Sequence, residues 1–346
     1  MATRIRCRST RRLAIRLAWF GGLAVIGAVA CATPTPREAI APRPTVQLTP
    51  CSVSNSTTDA RCGTYPVFED RVAMAGRTIS LNILVLPALT ESAAPDPIFV
   101  LAGGPGQGAA SGVTREVVEY FRPMRSRRDV VFVDQRGTGA SHPLQCGLAV
   151  GGAAAQSGFG DLLPADRIRA CRQALERIAD LRLYTTPITM DDLDEVRDAL
   201  GYATINLYGV SYGSLAAMQY LRQHPARVRS LALAGVATPA PKLPLQFVAG
   251  AQAALDHTIT DCAADEACHR AFPDLRTDVA AVFARLDAGP VTFDLPGPAG
   301  QGSERVRMSR AVFAERLRLM LYTLRSARRV PLVLHRAARG DWAPFA

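Results

Sequence analysis

From residue 78 to residue 233 short apolar runs alternate with segments of helical periodicity, and that alternation leaves few folds open. Thr78 to Leu86 alternates apolar and polar residues, as a half-buried strand does. Pro97 to Ala102, Asp129 to Val133, Ile205 to Tyr208 and Val228 to Leu233 are short runs of strand length. Such runs separated by helices predict a mainly parallel sheet with covered faces. Thr189-Met190-Asp191-Asp192 has capping-box spacing, with acids placed to complement a helix dipole. Leu193, Val196 and Leu200 follow on one face, and Gly201 is the expected stop. A second helix is expected from about Ser214 to His224, ending before Pro225. Beyond residue 240 the character changes, with Val312, Phe313, Leu317, Met320, Leu321 and Leu324 at helical spacing. Residues 51–240 are therefore read as the N-terminal part of an α/β core, and 241–346 as a helical cap. No internal repeat is visible.

Three motifs carry chemistry, each just past an apolar run. Gly209-Val210-Ser211-Tyr212-Gly213 lies between a strand and a helix. A turn that tight admits only small residues two before and two after the serine, and it holds the hydroxyl out at the head of the helix. Ser211 is the expected nucleophile. Gly103-Gly104-Pro105-Gly106 follows the strand ending at Ala102. Its glycines let backbone N–H groups approach a substrate carbonyl. Pro105 has no N–H, so Gly104 is the expected oxyanion donor, with the N–H of Tyr212 as the second. The run Gly-Gly-Pro-Gly-Gln-Gly fits neither nucleotide-phosphate pattern. Asp134-Gln135-Arg136-Gly137-Thr138-Gly139 ends a third strand. Asp134 and Arg136 are expected to form a structural ion pair beside the floor of the site, with substrate binding as the alternative.

The first 30 residues read as an export signal. Six arginines up to Arg16 precede 14 apolar residues, Leu17 to Ala30, too few to cross a bilayer as a helix. Ala28-Val29-Ala30-Cys31 suits a signal peptidase and also resembles a bacterial lipobox, with lipid on Cys31; plain secretion and an uncleaved anchor are the alternatives. Residues 31–50, rich in Pro and Thr, read as an extended tether. Without the signal the formal charge falls from +10 to +4, too little to argue for a nucleic-acid partner. Beyond Cys7 and Cys31, six cysteines form neighbouring pairs: Cys51 with Cys62, Cys146 with Cys171, Cys262 with Cys268. Disulfides within these pairs are expected in an oxidising compartment; reduced, buried thiols are the alternative. No metal or other cofactor is expected. Ten arginines between Arg305 and Arg339 read as a solvated helix face, or else as a surface for an anionic ligand.

The order and spacing of Gly-Gly-Pro-Gly, Asp-Gln-Arg-Gly-x-Gly-x-Ser and Gly-x-Ser-Tyr-Gly resemble the proline iminopeptidase and tripeptidyl aminopeptidase family of α/β-hydrolase peptidases, over about residues 60–346. Cys146, Cys171, Cys262 and Cys268, and Phe272-Pro273-Asp274-Leu275, are similar to its secreted branch. The resemblance implies an exported serine exopeptidase acting on the free amino end of peptides. Carboxylesterase and non-catalytic binding protein are the other readings. Ala102 stands where the iminopeptidases often carry His, which argues against strict proline specificity. The resemblance also implies a Gly-x-x-Asp and then a Gly-His-Gly segment, and neither occurs after Ser211. The histidines there, His224, His257, His269 and His335, do not follow strands. The chain is thus expected to be the first part of a longer hydrolase, lacking its last two strands and inactive and poorly stable alone.

Overall fold

Among the described residues seven strands form one sheet: β1 (Thr49–Cys51), β2 (Ala60–Phe68), β3 (Thr78–Leu86), β4 (Ile98–Leu101), β5 (Val130–Val133), β6 (Ile205–Val210) and β7 (Val228–Ala234). The computed structural model describes residues 45–53, 59–146, 156, 158–160, 164–238, 245–296 and 302–345. The signal, Cys7, Cys31 and the first part of the tether lie outside these residues. The strand order is β1-β2-β3-β5-β4-β6-β7. β5, β4, β6 and β7 run parallel to one another, while β1, β2 and β3 pair antiparallel in turn and β3 joins β5 antiparallel. Each parallel crossover carries helix: α1 (Arg115–Phe121) after β4, α2 (Ala165–Leu175) and α3 (Thr186–Ala199) after β5, and α4 (Tyr212–Gln223) after β6.

Alternation along the strands divides the interior in two. Ile79, Leu81, Ile83 and Val85 of β3, Phe99 and Leu101 of β4, and Val131 and Val133 of β5 face one way. There they meet Met190, Leu193 and Val196 of α3 and Ala216, Ala217 and Tyr220 of α4. Leu84, Leu86, Val100, Val130 and Phe132 face the other way, toward Val118 and Phe121 of α1. β7 pairs only with β6 and ends the sheet among the described residues; none of its side chains is fully buried.

α3 starts four residues earlier than the capping-box reading predicts. Thr185 is the N-cap and Pro187 lies in the first turn, where its fixed φ favours helix entry. Thr189 is thus inside the helix, donating its hydroxyl to the Thr185 carbonyl at 2.9 Å. Asp192 does not serve the helix dipole; it is buried against arginines. α4 begins at Tyr212, two residues before the expected start, because Ser211 itself is the N-cap.

The segment after residue 244 contains helices α5 (Leu245–Ala264), α6 (Glu266–Ala271), α7 (Leu275–Asp287), α8 (Arg310–Met320), α9 (Leu324–Ala327) and α10 (Val330–Ala338). It also contains an antiparallel hairpin, β8 (Val291–Pro296) with β9 (Ser303–Met308), which a purely helical reading missed. Its apolar residues form their own cluster, joined by one from much earlier in the chain, Phe159. Phe159 stacks edge-on against Phe293 and lies 4.0 Å beneath the Arg316 guanidinium. Gln156 accepts from the Arg307 N–H and donates to the Arg307 carbonyl, capping one edge of β9. Disulfides join Cys51 to Cys62 across β1 and β2, Cys146 to Cys171 on α2, and Cys262 on α5 to Cys268 on α6. No described helix is long and apolar enough to cross a membrane.

Candidate active site

Ser211 sits at the junction of β6 and α4 with φ +54° and ψ −120°, a conformation that side-chain-bearing residues adopt only under constraint. The constraint is visible. The Ser211 N–H donates to the Ala234 carbonyl of β7 at 2.9 Å, and its carbonyl accepts from the Ser214 N–H and hydroxyl. The Ser214 hydroxyl in turn accepts from Ala237 N–H at 2.8 Å, tying the elbow to the segment after β7. Both flanking glycines are required. A Cβ on Gly209 would strike the Gly213 carbonyl, and one on Gly213 would strike the Leu101 carbonyl of β4.

The Ser211 side chain opens into a cavity of about 930 Å³. Gly103, Gly104, Gly106 and Gln107 form one wall. Gly104 has φ +106°, and Gly103 lies closer to the serine: a Cβ there would be 3.3 Å from the Ser211 Cβ. The N–H of Tyr212 belongs to the first helical turn, which leaves its donors without intrahelical acceptors. The Tyr212 hydroxyl points away, 2.6 Å from that of Thr186. Val117, Tyr120, Phe121, Phe132 and Tyr208 make the opposite wall apolar and aromatic. The hydroxyls of Tyr120 and Tyr208 are 2.6 Å apart. That hydrogen bond, helped by burial, pushes the Tyr208 phenol up to about 12, so it is not a base at neutral pH.

Asp134 and Arg136 do not pair with each other, contrary to the expectation from sequence. The Asp134 carboxylate, fully buried, accepts from Ser111 N–H at 3.0 Å, Asn82 Nδ2 at 2.9 Å, Ala140 N–H at 2.9 Å and the Ser111 hydroxyl. It thereby fastens the glycine loop after β4 to the loop after β5. Gly108 and Gly139 pack so tightly on it that a Cβ on either would overlap the carboxylate. Arg136 points the other way, into α3. Its Nε and Nη2 lie 2.6 and 2.8 Å from Asp192, and it also donates to the carbonyls of Phe68, Glu69 and Leu183. Both residues are scaffold. Asn82 and Ser111, which complete the arrangement, gave no sequence signal, because a polar residue within a strand or loop reads the same whether or not a distant carboxylate meets it.

Glu69 anchors the same region. Burial opposes its charge, but hydrogen bonds from Arg77, the Tyr184 hydroxyl and the Asp180 N–H outweigh this and hold its carboxyl below the usual range. A group lowered on folding contributes stability that is full above its unfolded pKa, about 4.3, and is lost as pH falls through the folded value. Glu69→Gln is therefore expected to lower stability at pH 7, by a margin that shrinks as the pH is taken below about 4.3, as read by urea denaturation across that range.

No histidine, aspartate or glutamate lines the Ser211 cavity among the described residues. Three of the five imidazoles are engaged elsewhere: His224 with Asp191 at 3.0 Å, His335 with Asp278 at 2.7 Å and His142 with the Tyr184 hydroxyl at 2.7 Å. Two of these are Asp–His pairs, but neither lines the cavity. Among the described residues no group of three or more His, Cys, Asp or Glu is arranged to hold a metal ion.

A sheet with helices in its parallel crossovers and a serine on a strand–helix elbow define the α/β-hydrolase class. The family described as alpha/beta hydrolase fold matches residues 96–299, and the chain belongs to it. Among curated proteins it is similar to a probable proline iminopeptidase of Streptomyces coelicolor, 33% identical over 142 residues, covering 41% of this chain and 33% of that one. It is also similar to serine protease Hip1 of Mycobacterium tuberculosis, 28% identical over 241 residues, covering 64% and 46%. The chain thus spans about a third to a half of the length of these relatives. Among solved structures, the proline iminopeptidase of Mycobacterium smegmatis aligns at 18% identity with a TM-score of 0.37, covering 81% of this chain and 69% of that one.

Proposed function

We propose that this protein is an exported serine peptidase that releases residues or tripeptides from the free amino end of peptides through an acyl intermediate on Ser211. The observation that carries the reading is the strained Ser211 at the head of α4, facing a glycine loop across a cavity of peptide size. Its peptidase relatives support the substrate class. In this reading the Ser211 hydroxyl attacks the scissile carbonyl, and the N–H groups of Gly104 and Tyr212 receive the oxyanion. The leaving amine departs with a proton, and water then releases the acyl group. Each half-reaction needs a base to take and return that proton, and the described cavity wall holds none. Turnover by the 346-residue chain is accordingly expected at no more than the residual level that a hydrolase keeps without its base. Export through residues 1–30, with lipid on Cys31, belongs to the same proposal; mass spectrometry of the mature amino terminus checks it.

A peptide boronate tests the nucleophile without requiring turnover. A tripeptide boronate with a free amine is expected to form an adduct that Ser211→Ala abolishes, and to bind more tightly than its N-acetyl form. Equal affinity for the two would shift the reading to a carboxylesterase or an internal peptidase. No adduct at all would leave a non-catalytic binding protein. Fast cleavage of a tripeptidyl anilide, lost in Ser211→Ala, would show that a base does reach the serine and would overturn the expected inactivity.

A further inference from the structure

The ten arginines from Arg305 to Arg339 do not form one surface. Arg305, Arg310, Arg318, Arg336 and Arg339 each lie beside a carboxylate. Arg316 donates to the carbonyls of Gly158 and Phe345. Arg307, on β9, is exposed with no acidic partner among the described residues, and so are Arg325, Arg328 and Arg329 near the chain's end. Arg325, Arg328 and Arg329 lie together, on and just after α9. Leu324 and Arg328 are four residues apart, and so are Arg325 and Arg329, the spacing that puts side chains on a common face. Leu324 is 81% exposed and the preceding Tyr322 is 67% exposed.

Tyr322 also lines a groove of about 210 Å³ whose other wall is the first turns of α5, including Phe247. Leu245, Phe247 and Val248 stand largely in water at that end of α5. Single exposed apolar residues are ordinary, but a cluster beside uncompensated cations is not.

We propose that this corner docks on the surface of an anionic lipid bilayer. Leu324, Tyr322 and Phe247 would enter the headgroup–acyl boundary while Arg325, Arg328 and Arg329 meet lipid phosphates. Exposed apolar side chains flanked by arginine are the composition of surface-lying membrane contacts. Guanidinium groups match phosphate oxygens bidentately, and anionic leaflets attract cations over about a Debye length. A second copy of the chain is disfavoured, because a two-fold contact would bring the same three arginines together without an acid to separate them. The inference does not depend on Ser211 or on the peptidase reading.

Vesicle flotation tests it, comparing the 346-residue chain with the triple variant R325Q/R328Q/R329Q and with F247S/L324S. All three carry the same amino-terminal segment, so any attachment through it is common to them. The substituted side chains are exposed, and unchanged thermal melting by circular dichroism confirms that each variant folds. The parent is expected to bind phosphatidylglycerol-containing vesicles at least about tenfold more tightly than the triple variant at low salt. That gap should close in about 1 M salt. F247S/L324S should bind more weakly while keeping the salt dependence. Equal binding by parent and triple variant, or no effect of F247S/L324S, overturns the proposal. So does a parent that dimerises in sedimentation through contacts that F247S/L324S breaks, since the corner would then be a protein interface.

Discussion

Asp192→Ala is expected to destabilise the fold by about 3–5 kcal/mol, the cost of leaving a buried charge without its partner. Asp192 is 1% exposed and holds two guanidinium groups, Arg136 at 2.6 Å and Arg71 at 2.9 Å. Arg71 has a second carboxylate, Glu195 at 2.5 Å, and can keep its charge compensated. Arg136 has no second carboxylate among the described residues; without Asp192 it keeps three main-chain carbonyls and the face of the Tyr184 ring at 5.9 Å. An exposed pair such as Arg172 with Glu176 gives the contrast, since solvent screens it and Glu176→Ala should leave stability almost unchanged. Urea denaturation of the two variants checks the difference. Replacing the pair together, as D192L/R136M, should recover much of the loss, because two apolar side chains leave no stranded charge. A loss below about 1 kcal/mol for Asp192→Ala would mean that water reaches Arg136 and that the pair is not the clamp it looks like.

Gly213→Ala sets two effects against each other. Gly213 lies in the first turn of α4, and helix propensity alone favours alanine by up to about 1 kcal/mol. Packing opposes it, because the added methyl would overlap the main-chain carbonyl of Leu101, which cannot rotate away. Either α4 or β4 must move, and overpacking of this kind costs about 1–3 kcal/mol or more. The packing cost should win, lowering the melting temperature and weakening boronate binding at Ser211. Gly250→Ala on α5 isolates the propensity effect. Nothing lies within 4 Å of a Cβ there, so a gain of about 0.5–1 kcal/mol is expected.

These two residues also show what was legible beforehand. The elbow could be read from five consecutive residues, since the demand for small residues around Ser211 arises within the turn itself. The strands of the sheet were visible for the same reason: a period of two is a property of neighbours in the chain. In the sequence Asp192 is an acid near a helix start, a position that points to the helix dipole and not to a buried arginine. Its true partner is 56 residues away, and no local pattern encodes that distance. Asp134 and Arg136 stand two apart in the chain yet turn to opposite neighbours. Proximity in sequence therefore suggested an ion pair that the fold does not make. Phe159 carries no local signal, because the cluster it completes lies more than 90 residues further on.

By itself the sequence determined the sheet-and-helix alternation, the strand–helix elbow at Ser211 and the glycines that let a backbone approach it. All of these are set by steric limits acting over a few residues. Only the tertiary structure decided which charges are compensated. It assigned Asp134 to the glycine loop and Arg136 to Asp192, and it separated three uncompensated arginines at α9 from the partnered ones around them. Charge compensation depends on which side chains burial brings within about 3 Å, and that is settled by packing between segments far apart in the chain.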